Sequence, residues 1–251
     1  MNMQIYAAGT GRILRQLRSD HRTVAMILLV PTLLMVLLYF LYEDVPTAPG
    51  QQSLFDRIAI TMLGVLPFVV MFLITSIAMQ RERTSGTLER LLTTPMSKLD
   101  LLVSYGSAFS LAAVAQAILA CTVAFGLLGL TTAGPIAWVV LIAVLDAMLG
   151  VAIGLLCSAF ARTEFQAVQF MPLVVLPQLF LCGLLVPRDQ MPDWLHAISN
   201  VLPLTYPVNA LQQISLESAV TVEMGRDLAV VGSCTVLALC AAAATLRRRT
   251  P

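Results

Sequence analysis

Charge is scarce in this 251-residue chain: Asp, Glu, Lys and Arg together make up 12% of it, about half of the roughly 25% found in an ordinary soluble domain. Hydrophobic residues reach 58% and the mean hydropathy is +0.86, so too few polar side chains remain to cover a water-facing globule. The net charge of +1 excludes a nucleic-acid binder held by bulk positive charge. Lysine is nearly missing. Lys98 stands alone between Ser97 and Leu99, which rules out a phosphate-cradling GxxxxGKS or GxxxxGKT loop and with it an ATPase site in this chain. Neither His21 nor His196 is followed by glutamate, and no serine sits in a GxSxG setting, so the zinc-protease and serine-hydrolase signatures are absent too. Both histidines read as ordinary interfacial residues. Cys121, Cys157, Cys182, Cys234 and Cys240 all fall in apolar runs with no CxxC or metal-ligand spacing, which fits small packing residues. No catalytic or metal constellation is expected.

What the chain does have is long apolar runs. A hydrocarbon core about 30 Å thick takes about 20 residues of helix. Charge-free stretches occupy 23–42, 58–80 and 101–145, and the last is too long for one span. The Gly134-Pro135 break divides it. The expected spans are 24–42, 58–80, 101–129, 136–161, 165–186 and 228–246, giving an all-α integral membrane protein with one transmembrane domain over 1–251. Short loops rich in Arg and Lys stay cytoplasmic. Arg12, Arg15, Arg18, Arg22, Arg81, Arg83, Arg90, Lys98, Arg162, Arg247, Arg248 and Arg249 share the side of both termini, whereas Arg57, Arg188 and Arg226 fall opposite. Both termini are therefore expected inside, with the first span a retained anchor behind its basic lead.

The pieces between spans carry most of the information. Arg12, Arg15, Arg18 and Arg22 recur at helical spacing opposite Ile13, Leu14 and Leu17. That pattern fits a helix lying in the headgroup plane, apolar side toward lipid and arginines near anionic headgroups; a plain topogenic basic cluster is the alternative. Between the second and third spans, Leu88, Leu91 and Leu92 recur at helical spacing among charges and Pro95 closes the run. This reads as a short amphipathic helix suited to docking a cytoplasmic partner, or as a solvated loop. On the outer side, Pro192 and Asp193 fit the first turn of a helix. It would turn Trp194, Ile198, Val201 and Leu202 toward lipid and end at Pro203 and Pro207. Such a helix can cap a central pathway or simply lie at the interface.

Two of these segments resemble a known family. The run RTSGTLERLLTTP at 83–95 is similar to the first cytoplasmic loop of type-2 ATP-binding-cassette exporter permeases. FLCGLLVP at 180–187, MPDWL at 191–195 and ISNVLPLTYP at 198–207 resemble that family's fifth span, outer re-entrant helices and P-L-T-Y segment. Drug-exporting permeases of the daunorubicin type resemble it most. The resemblance implies a coupling helix that meets an ATPase through Glu82, Arg83, Gly86, Thr87, Leu88, Glu89, Arg90, Leu91 and Leu92. It also implies an outer gate built on Gly183, Pro187, Pro192, Trp194, Pro203 and Tyr206. The implied partners are two copies of a cytoplasmic ATPase subunit, which bind the ATP and Mg, and a second permease subunit as homo- or heterodimer. The chain itself would need no cofactor. The expected site is the cell membrane, and the expected cargo is an amphipathic drug or lipid-like molecule moving outward, with lipid or polysaccharide export also open.

Polar groups inside the spans are few, which makes each a candidate for the pathway. Asp146 lies near the middle of the fourth span, where a carboxylate costs at least about 2.5–3.5 kcal/mol on insertion scales. It reads as a contact for a cationic substrate, a proton site, or a packing residue hydrogen-bonded to a neighbour such as Gln116. Gln169 and Gln178 share the fifth span with Pro172 and Pro177, which suggests either a kinked helix lining a pathway or an irregularity of packing. Gly150 and Gly154 form a GxxxG pair permitting close helix approach. A secondary transporter using Asp146 as its proton site is the rival reading. It predicts internal repeats that the sequence does not show. A non-transporting membrane scaffold is a third.

Overall fold

The computed structural model describes residues 3–46, 52–87 and 97–245, apart from the side chains of 98 and 99. Helices joined by short turns make up those residues, and no strand occurs among them. α1 (Met3–Ser19) stops at Asp20, whose carboxylate accepts from the backbone N–H and hydroxyl of Thr23 and so caps α2 (His21–Tyr42). Those bonds hold the Asp20 carboxyl below the usual carboxylate range. α3 (Leu54–Thr84) begins at Ser53, which accepts from the Asp56 N–H. α4 (Lys98–Gly126) begins at a capping box exchanged between Ser97 and Asp100. α5 (Ile136–Ser158) follows Pro135, and α6 (Glu164–Leu181) is capped by Thr163. A 3₁₀ turn (Arg188–Gln190) and α7 (Asp193–Ser199) lead to α8 (Thr205–Leu216) and α9 (Val222–Thr245).

Six of these helices (α2, α3, α4, α5, α6 and α9) are long and apolar enough to cross a membrane. Their limits differ from those read off the charge pattern. α3 extends past 58–80 at both ends and takes Asp56, Arg57, Arg81, Glu82 and Arg83 into the helix. Helical hydrogen bonding runs on to the caps, whereas hydropathy stops at the first charge. α4 starts and ends about one turn before 101–129, α5 closes at Ser158 rather than 161, and α9 starts at Val222 rather than 228. α6 stops at Leu181, short of 186, because the chain reverses through Gly183 at φ +94°. Within its limits α6 continues through Pro172 and Pro177 without a break in the helix.

α3 and α5 form the axis of the bundle. In their most apolar stretches 67% and 61% of residues are buried, against 22% for α2 and 17% for both α6 and α9, so the last three present most of their surface to lipid or to another chain. The GxxxG pair explains the close α3–α5 approach. A Cβ on Gly150 would stand 2.4 Å from the Phe68 carbonyl oxygen, and one on Gly154 would stand 2.5 Å from that of Phe72. The two glycines and the two carbonyls share a spacing of four, so the helices run in the same direction with one ridge laid against the other. Phe68 and Phe72 are fully buried beside this seam.

α1 differs from the expected headgroup-plane helix in one respect. On its apolar face Ile13 is buried in the protein's own core with Leu101, Tyr105 and Phe109, and Leu14 and Leu17 are partly buried against that core. Arg12 turns inward with that face, while Arg15, Arg18 and Arg22 stay exposed. A guanidinium that finds both a carboxylate and a phenol hydroxyl in one place loses less by burial than helical spacing alone suggests.

Candidate functional site

The arginine-rich end of α3 is built from its last turn. Arg81 grips Glu164 of α6 through two bonds, Nε to Oε1 at 3.1 Å and Nη2 to Oε2 at 3.2 Å. Glu82 is buried; its Oε1 lies 3.5 Å from Nη1 of Arg12, whose Nη2 donates to the Tyr105 hydroxyl at 3.1 Å. Arg83 is half-buried, and its Nε and Nη2 find no partner among the described residues. The helix closes with the Ser85 N–H on the Arg81 carbonyl, and Gly86 takes φ +71°, the left-handed conformation in which glycine commonly ends a helix. Thr87 follows, its hydroxyl 3.0 Å from that of Ser85. Leu88, Glu89, Arg90, Leu91 and Leu92 lie outside the described residues. The described part of the expected coupling segment is therefore the rigid exit of a long helix, clamped sideways to α1 and α6.

The residues expected to build an outer gate, Gly183, Pro187, Pro192, Trp194, Pro203 and Tyr206, follow one another from the end of α6 into the first turn of α8. The Gly183 carbonyl accepts from Gln212 at 3.3 Å, and the Tyr206 hydroxyl donates to the Asn200 carbonyl at 2.6 Å. Arg188 donates to Ser199 and Asn200, folding the 3₁₀ turn back onto α7. Trp194 and Val201 are exposed, as an interfacial helix requires. Pro207 does not end a helix; it lies in the first turn of α8, where its missing N–H costs nothing.

The intramembrane polar residues part company. Gln169 is exposed on α6. Gln178 is buried and bound at both ends: Nε2 donates to Val174 O at 2.8 Å, and Oε1 accepts from the Leu204 N–H at 3.2 Å. It fastens α6 to the start of α8. Gln178→Leu leaves that buried N–H without an acceptor, which costs about 1–3 kcal/mol. A lower melting temperature in detergent is the expected result, with Gln178→Glu restoring part of it.

Asp146 is fully buried on α5, and neither carboxylate oxygen has a hydrogen-bond partner among the described residues. The expected bond to Gln116 is not formed; Gln116 is equally buried, and neither of its amide atoms has a partner among the described residues. The carboxyl occupies space that a glycine leaves open: a Cβ on Gly64 would stand 2.9 Å from Oδ2 and 2.7 Å from Leu211 of α8. Asp146 thus sits one turn before the glycine seam along α5, against α3 and beside α8.

Two acidic residues escaped the sequence reading. Asp56 accepts from the N–H and hydroxyl of Thr131, at 3.1 and 2.7 Å, and ties the start of α3 to the α4–α5 turn. Asp227 accepts from Asn209 at 2.7 Å and from Gln213 at 3.4 Å, joining α8 to α9. Their only signal was an acid beside an expected span end.

The family described as ABC-2 type transporter matches residues 3–216. The chain belongs to the ABC-2 type transporter family. Among its relatives, the probable multidrug ABC transporter permease YbhR of Escherichia coli is 24% identical over 159 residues, covering 63% of this chain and 43% of that protein. The linearmycin resistance permease protein LnrN of Bacillus subtilis is 25% identical over 206 residues, covering 78% and 52%. ABC transporter G family member 20 of Dictyostelium discoideum is 28% identical over 174 residues, covering 68% and 24%. The chain spans about a quarter to a half of the length of these relatives. As an ABC-2 family member with six helices long and apolar enough to cross a membrane, it is a multi-pass membrane protein.

Proposed function

We propose that this permease works in an ATP-driven exporter that moves an amphipathic drug- or lipid-like molecule outward across the cell membrane. Two copies of a cytoplasmic ATPase subunit would supply ATP and Mg chemistry, and a second permease subunit, identical or homologous, would complete the pathway. One observation carries the reading. α3 runs without interruption from Leu54 to Thr84 and leads directly into the run at 83–95 that resembles the family's ATPase-contacting loop. A helix buried along two-thirds of its apolar length and locked to α5 transmits a push as a unit. The drive comes from unequal affinity of the ATPase pair for the two permease states. The exposed Phe165, Leu173 and Phe180 of α6 offer an apolar face for the second subunit. Relatives named as multidrug and linearmycin resistance permeases support a cargo of that class.

The test is flux of a fluorescent amphiphile in vesicles reconstituted with the permease and its ATPase. Transport is expected with ATP and none with a non-hydrolysable analogue. Full transport on a proton gradient without nucleotide would overturn the reading.

The proton-coupled alternative rests on the unpartnered, buried carboxyl of Asp146. Asp146→Asn separates the two. An amide of the same shape keeps the packing beside Gly64, so ATP-driven flux is expected to persist. A proton-coupled carrier would lose flux altogether.

A further inference from the structure

Beside α1, on the face away from Glu82, α1, α2 and α4 enclose a groove of about 350 Å³. Leu14 and Leu17 of α1, Val24 and Leu28 of α2, and Leu111 and Ala112 of α4 line it, and Arg18 at one end is its single charged lining residue among the described residues. The groove is therefore apolar along its length and cationic at its mouth. Two more exposed arginines, Arg15 and Arg22, flank that mouth in sequence, and none of the three pairs with a carboxylate among the described residues. The nearest acid in sequence, Asp20, is occupied by Thr23 and lines the cavity on the other side of the α1–α2 corner. Leu111 and Ala115, the exposed apolar lining residues, lie on the candidate span α4, so the groove opens at an apolar surface rather than a polar one.

We infer that this groove binds one anionic phospholipid, with an acyl chain lying between α2 and α4 and the phosphate against Arg18. One apolar slot with a single cationic end matches a lipid's division into tail and head. A protein partner would need polar rim contacts spread around the patch. Unpaired arginines at the headgroup level favour an anionic head over a zwitterionic one. The inference concerns this chain alone and holds whether or not ATP drives export.

The test uses the full chain, purified in mild detergent and examined by native mass spectrometry with phosphatidylglycerol or phosphatidylcholine of identical chains. Wild type is expected to retain phosphatidylglycerol about fivefold better, the contribution of about one basic residue at an anionic headgroup. Arg18→Gln should bring the two lipids level. Ala112→Phe, which fills the groove, should lower retention of both; if that variant fails to fold, Ala115→Leu at a more exposed lining position replaces it. Equal retention of the two lipids by wild type would overturn the inference, as would wild-type retention in both Arg18→Gln and the groove-filling variant. Ala115→Cys supplies an independent check: efficient crosslinking between copies in native membranes would mean that a second copy covers the groove, and the lipid site would be refuted.

Discussion

Replacing Gly154 with leucine is expected to leave almost no folded protein in the membrane, and Gly150→Leu should do nearly as much. The obstruction at each position is backbone. A Cβ would meet the carbonyl oxygen of Phe72 at 2.5 Å or of Phe68 at 2.4 Å, and a carbonyl in a helix interior cannot swing aside as a side chain can. α3 would have to move away from α5 along its length. Phe68, Phe72, Leu149 and Ala152, all buried at that boundary, would lose contact together. Even alanine should cost about 1–3 kcal/mol as an overpacked core site, a serious share of a total stability of about 5–15 kcal/mol. Leucine adds three more carbons to the same conflict. The measurement is the fraction of monodisperse protein surviving a heating series in detergent. Gly225→Ala and Gly232→Ala serve as controls, since nothing lies within 4 Å of a Cβ at either; both should be neutral or slightly stabilising. Gly154→Leu behaving like those controls would show that the α3–α5 seam is loose.

The second large effect concerns transport rather than folding. Under the proposed function, Glu89→Lys combined with Leu92→Asp should lower ATP-dependent flux about tenfold or more, as loss of an interface anchor does, while the permease stays at its normal level in the membrane. Hydrolysis by the ATPase should continue without cargo movement. Gly86→Val probes the same connection from the described side. A β-branched residue is a genuine outlier at φ +71°, so the chain's exit from α3 must change direction, at a cost of about 1–3 kcal/mol. Reduced flux with intact hydrolysis is expected there too. Undiminished export in both variants would remove the mechanical role assigned to this segment.

The spans were legible because each is an apolar run closed by charge, and that signal needs no tertiary knowledge. Their ends were not. α3 carries five charged residues in helical conformation beyond the expected limits, and only the Ser53 and Ser85 caps fix where it stops. Gly150 and Gly154 were visible as a motif, but their partners are carbonyls of Phe68 and Phe72, and backbone atoms leave no mark in a sequence. Arg12 belonged by spacing to a row expected near anionic headgroups. Its actual partners, Glu82 and Tyr105, lie 70 and 93 residues away, beyond the reach of any local pattern. Gln178 illustrates the same limit: its Oε1 accepts from a backbone N–H in a distant turn, a partner no local pattern names. Asp146 stood out as an acid in an apolar run, but the void that admits it is made by Gly64 on another helix.

The shared direction of α3 and α5 has an electrical consequence. Two helices laid side by side in the same sense add their macrodipoles instead of cancelling them, which concentrates partial negative charge at their carboxyl ends, each worth about half an elementary charge. In α3 the final turn answers this with Arg81 and Arg83, whereas α5 ends with no basic residue in its last turn. The arginine-rich end of the bundle therefore carries a built-in polarity, and a neighbour bringing cationic groups to the foot of α5 would find it already biased in its favour.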